Sequence, residues 1–478
     1  MFTPSKTEFL KLAEKGNLIP VYTEVLADVE TPVSAYRKLR KTGPSFLLES
    51  IEGGEHIGRY SFLGANPRRV IRADQRDGDD PLKRLEQEMA EFKPVKVPGL
   101  PRFTGGAVGL LGYEYVHHIE PTVPRPGSDD LGSPTLCFMI TGTILIFDRV
   151  SQTIKVVSNA HVTGDAGKTY ESACEQIQQV LADLGKPLSV APLEFQKDPP
   201  PIKLDSNMTP ARHAEMVGKA KEYIKAGDII QVVLAQRFQA KISASALDVY
   251  RSLRSVNPSP YMFLLDFGDF QLVGASPEVH VRCEDRQVEI RPIAGTRWRG
   301  KTPEEDDALA KELLRDEKER AEHLMLVDLA RNDIGRVCEF GSVKVNEFMV
   351  VERYSHVMHI VSNVTGKLQG HRNVYDLMRA TFPAGTVSGA PKVHAMQIIS
   401  ELEATQRGPY AGAVGYFSFN GNLDSCITLR TALLKDGTAY VQAGGGIVAD
   451  SDSSYEFRET VNKAKAMVKA IALAESFR

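Results

Sequence analysis

Cysteine is scarce and scattered in this sequence, with five residues (Cys137, Cys174, Cys283, Cys338 and Cys426) among 478. No two form a Cys-x-x-Cys pair and the number is odd, so neither a disulfide framework nor a zinc knot is indicated. Also missing is any uninterrupted apolar stretch of the ~20 residues that cross a bilayer, and Met1–Glu8 carries no charged leader followed by an apolar run. The expectation is a cytoplasmic chain with no membrane partner. Charge of one sign is lacking too: 58 Lys and Arg face 61 Asp and Glu, a net of -3. That balance removes the broad electrostatic reason to expect nucleic acid, while a local site for small anions stays open.

Dinucleotide and phosphate-loop fingerprints are absent as well. Gly385-Thr386-Val387-Ser388-Gly389-Ala390-Pro391-Lys392 has the wrong spacing to its lysine for a phosphate loop, and Ala443-Gly444-Gly445-Gly446 is no Gly-x-Gly-x-x-Gly. What remains is ordinary globular material, 42% hydrophobic and 25% charged, too long for one simple core. The first third reads as β-rich, with strands such as Ser45–Ser50 and an apolar run Ile140–Phe147 that stops at Asp148. A polar helix is expected near 167–184, and Asp198-Pro199-Pro200-Pro201 marks a soft boundary that divides the chain into 1–200 and 201–478. Beyond it, Thr209-Pro210 caps a helix that runs to Lys225 and ends at Gly227. Strands are expected near 229–234, 262–267, 271–274, 288–293, 412–419, 427–434 and 438–442, and helices at 303–331, 373–379, 391–403 and 454–475. The elements do not alternate in βαβ fashion, so the fold class is α+β with large, mainly antiparallel sheets.

Two acidic turns hold the first hint of chemistry. Glu319 and Glu322 lie three residues apart on one expected helix, as do Glu456 and Glu459 at the start of another, which places each pair on one helix face. Solvated charge, or acidic side chains answering a helix dipole, explains either pair alone. Facing each other, the two turns would offer oxygens to one hard cation such as magnesium. From Ala321 onward the helix is mostly apolar around Glu322 and Asp328, where carboxylates need partners or a metal. The glycines at 444–446 either make a tight turn or let amides approach an anion. In His356-Val357-Met358-His359 the odd spacing turns the two histidines to opposite faces of a strand, so at most one reaches a shared pocket.

Six phrases occur in order: Gly227–Val233, Gly274–Glu278, Arg291–Arg297, the Glu322–Arg336 helix, Phe382–Lys392 and Ala443–Val448. Together they cover nearly all of 207–470 and resemble the chorismate-utilising enzymes. Leu47-Leu48-Glu49-Ser50, Gly58–Gly64 and Phe103–Gly106 extend the resemblance into the N-terminal region. It implies a β-sandwich with surrounding helices, one intertwined body rather than two beads. Two positions sort the branches. Members forming 4-amino-4-deoxychorismate carry a nucleophilic lysine where this chain has Ala294, and isochorismate and salicylate synthases carry a lysine base where it has Gln231. Neither alanine nor an amide can do that work. The resemblance therefore implies addition of ammonia at C2 of chorismate to form anthranilate and pyruvate, in tryptophan biosynthesis. An aminodeoxychorismate-forming enzyme and a catalytically silent tryptophan-binding homologue are the alternatives.

The same resemblance implies the roles of individual residues. Glu322 and Glu459 would hold Mg2+, with Glu319 and Glu456 close by. Arg430, Tyr410, Gly444, Gly445 and Gly446, together with Gly295 and Thr296, would bind chorismate. His359 would act as general acid, beside Glu278 and Thr386. Ser50, Pro260, Tyr261 and Met262 match a feedback site for tryptophan. No Gly-x-Cys-x-Gly elbow is present to make ammonia from glutamine. A separate glutamine amidotransferase subunit is thus expected, in a heterotetramer of two catalytic and two amidotransferase chains.

Overall fold

A computed structural model describes residues 1–51, 58–74, 78–188, 196, 198–354 and 357–477. Two large antiparallel sheets dominate it. The first has 12 strands. From edge to edge it runs Leu18–Leu26, Thr153–His161, Thr143–Asp148, Tyr60–Ala65, Ser45–Glu49, Tyr261–Asp266, Gln271–Ser276, Thr431–Lys435, Thr438–Ile447, Gln231–Lys241 and Gly389–Ala390, with Asp205–Ser206 also on Gln231–Lys241. The second has 10 strands. Its order is Ile293–Trp298, Val357–Lys367, Gln287–Ile290, Val279–Glu284, Leu423–Ile427, Ala413–Ser418, Gly106–Leu111, Leu136–Ile140 and Arg69–Ala73, with Lys344–Arg353 also on Val357–Lys367. Each sheet takes strands from both sides of residue 200.

Side chains alternate between the faces of a strand, and that period of two builds the layers. In Tyr261–Asp266, Phe263 and Leu265 enter a cluster that also holds Val108, Met139, Val414 and Cys426 from the other sheet. Met262 and Leu264 point the opposite way, into a cluster shared with Tyr250, Leu253, Met467 and Ile471 of the covering helices. The fold is therefore an α+β sandwich with helices packed outside both sheets. The helix Pro210–Ala226 starts at Thr209, whose hydroxyl accepts from Arg212 N, and ends at Gly227 in the left-handed region, φ 85°.

Four expected elements differ. The run Ile140–Phe147 is not one strand: Leu136–Ile140 belongs to the second sheet, the chain turns at Thr141-Gly142, and Thr143–Asp148 enters the first. The expected 303–331 helix is two, Pro303–Arg315 and Glu317–Gly335, because Asp316 ends one and its carboxylate caps the amides of Lys318 and Glu319 in the next. Expected strand 288–293 breaks at Arg291-Pro292, where proline has no N–H for the ladder. Expected strand 427–434 also divides, into Leu423–Ile427 and Thr431–Lys435. Arg430, between them, has φ 47°.

Candidate active site

The glycines at 444–446 form no tight turn. They lie inside the strand Thr438–Ile447, and Gly444, Gly445 and Gly446 pair with Ala235, Leu234 and Val233. Their lack of side chains leaves a trough at the strand's end, which Tyr410 and Gln231 approach from one face and Glu456 and Glu459 from the other. A Cβ on Gly444 would stand 2.7 Å from the Tyr410 hydroxyl, and one on Gly445 would stand 3.1 Å from Glu456 Oε2 and 4.0 Å from Glu459 Cδ. On Gly446 it would overlap the Gln231 amide nitrogen. Gln231 in turn donates from Nε2 to Glu322 Oε1 at 3.3 Å. Three consecutive glycines thus touch the surroundings of both acidic turns.

One wall is the helix Glu317–Gly335. Glu319 and Glu322 project from its first two turns, while Asp328 faces solvent and pairs with Arg331 at 2.8 Å, so the apolar run does not bury it. Arg297 Nη1 lies 3.5 Å from Glu319 Oε1, and Arg297 also holds Asp316 at 2.8 Å. Gly295, at φ 70°, lets its strand bulge toward Glu319: a Cβ there would be 3.1 Å from Glu319 Oε2. On the adjoining strand His359 Nδ1 donates to the Gly295 carbonyl at 2.8 Å, with Thr296 Oγ1 3.2 Å from the same nitrogen. His356 lies outside the described residues.

The opposite wall is the helix Ser453–Glu475, which begins beside the trough. Lys463, one turn beyond Glu459, reaches its Oε1 at 2.7 Å and the Gly444 carbonyl at 3.0 Å. Glu278, at the end of Gln271–Ser276, stands among Thr386, Arg430 and Lys463. Neighbouring contacts therefore tie residues from all six phrases to this region.

Its electrostatics are those of crowded acids. Burial, then the neighbouring Glu322, holds Glu319 above the usual carboxylate range. Glu456 is raised by burial and by Glu459. Burial raises Glu278 too, and Thr386, Arg430 and Lys463 hold it back. His359 is pushed down, first by burial, with the Arg430 charge adding to it and the Gly295 carbonyl opposing. Among the described residues no three His, Cys, Asp or Glu side chains stand close enough to hold a metal ion as they lie. The donor set nevertheless suits a hard dication, since two carboxylate pairs flank one trough and Glu456 Oε2 is buried without a hydrogen-bond partner.

A second cavity lies between the sheets. Ser50, Pro260, Tyr261 and Met262 line it together. Since the Met262 side chain points into the helix-facing cluster, strand alternation leaves its main chain to face the cavity. Most of the wall is apolar, but the buried Ser50 and Tyr416 hydroxyls have no hydrogen-bond partner. An ion network closes one end: Tyr261 donates to Asp424 at 2.8 Å, and Arg102 and Arg282 each approach Asp424 at 3.3 Å. Reading the sequence alone missed Lys463 and this Arg102–Arg282–Asp424 group. The first hides in an ordinary i,i+4 Glu–Lys pattern, and the second joins positions hundreds of residues apart.

Comparison with known proteins gives the family and the fold. The model of the chorismate binding enzyme family matches residues 43–469. The chain is 48% identical over 495 residues to anthranilate synthase component 1 of Acetivibrio thermocellus, covering 100% of both chains. The crystal structure of anthranilate synthase component I from Streptococcus pneumoniae superposes with TM-score 0.76 at 40% identity, over 93% of this chain and 99% of that one. A menaquinone-specific isochorismate synthase from Escherichia coli, 18% identical, shares the fold with TM-score 0.72 over 98% and 99%. With one family spanning nearly the whole chain, and length and architecture shared from end to end, the chain belongs to the chorismate binding enzymes.

Proposed function

We propose that this enzyme converts chorismate and ammonia to anthranilate and pyruvate, as the catalytic component of an anthranilate synthase. What supports the reading is the approach of both acidic pairs to one glycine run, directly at Gly445 and through Gln231 at Gly446, together with the two diagnostic positions Gln231 and Ala294. Gln231 donates its amide to Glu322, and an amide takes no proton at neutral pH. Ala294, buried beside Gly295, offers no nucleophile. Both leave the attack at C2 to an external amine.

Chorismate is a dicarboxylate. Glu322 and Glu459 would hold Mg2+, with Glu319 and Glu456 beside them, and the bound ion would neutralise the ring carboxylate. Arg430, the Tyr410 hydroxyl and the amides of Gly444 and Gly446 suit the enolpyruvyl carboxylate, through a guanidinium fork and close backbone approach. Gly445 shapes the trough between the acids, and Gly295 and Thr296 border the ring. A carbonyl only accepts, so the bond to Gly295 keeps a proton on His359 Nδ1. Nε2 is then the nitrogen that would take up a proton when the anionic substrate binds, and would deliver it to the departing C4 hydroxyl as ammonia adds at C2. Glu278 and Thr386 sit near enough to serve the later steps, in which loss of the C2 proton expels pyruvate and aromatises the ring.

Free ammonia is scarce near neutral pH, where ammonium predominates. A glutamine amidotransferase on a separate chain would supply it, in a cytoplasmic heterotetramer of two catalytic and two amidotransferase subunits. Tryptophan fits the cavity between the sheets: its ring would meet the apolar wall, and the Ser50 hydroxyl with the Pro260–Met262 main chain would meet its amino-acid end. The decisive assay is anthranilate fluorescence from the purified chain with chorismate, magnesium and ammonium. Product is expected with ammonium and none with glutamine alone. Aminodeoxychorismate as the end product, or no product from ammonium, would overturn the reading.

A further inference from the structure

Lys463 is unusually placed for an ordinary helix pair. Glu–Lys neighbours four residues apart on a solvated helix face interact weakly and bind nothing else. Here the ammonium also donates to the Gly444 carbonyl at 3.0 Å, inside the trough, while holding Glu459 Oε1 at 2.7 Å. It further stands in the field of Glu278 and Glu456. One flexible cation thus holds Glu459 directly and lies within the field of two further carboxylates, Glu278 and Glu456.

We infer that Lys463 is a placeholder cation that couples the binding of a divalent metal to the binding of the dicarboxylate substrate. The inference rests on the proposed metal role of Glu459. With the pocket otherwise vacant, the ammonium partly neutralises Glu459, and a dication arriving at that carboxylate meets a like charge in its first neighbours. An anionic substrate group entering beside Gly444 gives the ammonium another partner and draws it off Glu459. Metal then binds more tightly with substrate than without, and by linkage substrate binds more tightly with metal. Lys463 acts through Glu459 and is a positioning residue. Its flexible stem lets it change partners where a rigid guanidinium fork would not.

The test titrates Mn2+ by the paramagnetic signal of the free ion, with and without chorismate, in wild type, Lys463→Met, Lys463→Arg and Glu459→Gln. Wild type is expected to bind Mn2+ weakly alone and about tenfold or more tightly with chorismate, a coupling in the usual range. Lys463→Met should tighten binding of the metal alone by about the same factor and remove most of the chorismate-dependent gain. Lys463→Arg should keep the metal alone weakly bound. Thermal melts of each variant confirm folding. Unchanged or weaker Mn2+ binding by Lys463→Met, with Glu459→Gln still abolishing it, overturns the placeholder role alone. If Glu459→Gln binds Mn2+ like wild type, the metal reading and the inference both fall.

Discussion

At the scale of single residues, the proposed acid His359 would decide how the pocket handles protons. Burial and the Arg430 charge keep its basicity low in the free site. The folded value below that of free imidazole means the ring is neutral at pH 7, with its proton on Nδ1. A dianionic substrate reverses the local field and raises it. Between the two values, binding takes up a proton, and affinity for chorismate should improve as pH falls through neutrality. Calorimetry in two buffers of different ionisation heat should show that uptake, which His359→Gln should abolish. Its absence in wild type would remove His359 as the proton donor. His359→Ala should lower turnover by about 10²–10⁴, the usual worth of a positioned acid, while leaving chorismate binding largely intact. Unchanged turnover would contradict the role.

At the scale of elements, the strand Thr438–Ile447 carries the site because three of its residues have no side chain. Gly446→Ala should drive the Gln231 amide off Glu322. Chorismate affinity is expected to fall more than tenfold, and Gln231→Ser in the same chain should recover part of it; recovery to no degree would show that Gln231 is not the obstruction. This also marks how far the sequence was legible. Caps at Thr209 and Gly227 and the three-residue spacing of the acidic pairs are local signals, and the helices and paired carboxylates follow from them. Asp316 was as local, yet its double duty between two helices is invisible to hydrophobic period. Arg430 sits in a left-handed break that reads as continuous strand from its apolar neighbours. The glycine run is equally consistent with a turn until its pairing with Leu234 and its neighbours is known. Strand order and the partner of Lys463 are long-range facts, which no window along the chain contains.

At the scale of the whole molecule, the two sites are joined through paired strands. Tyr261 of the inter-sheet cavity pairs with Ser276. The Ser276 hydroxyl donates to the Ile427 carbonyl at 2.6 Å, and Ile427 N donates to the Glu278 carbonyl at 3.0 Å. A ligand wedged between the sheets would therefore bear on the segment that carries Glu278, the route by which the proposed inhibitor would reach the proposed active site. Tryptophan at ~100 times its dissociation constant should stabilise the fold by about 2.7 kcal/mol and raise the melting temperature. Ser50→Phe fills the cavity, and should lose both this shift and the inhibition while keeping uninhibited activity. A shift that survives Ser50→Phe would place tryptophan elsewhere. The interleaving of the sheets has a further consequence, for synthesis. Ser45–Glu49 pairs with Tyr261–Asp266, so its edge stays open on the ribosome while ~200 more residues are added, about 10–40 s at ~5–20 residues per second. Neither layer can close cotranslationally on its early strands alone, and the nascent N-terminal third should be a client of holding chaperones until the later strands emerge.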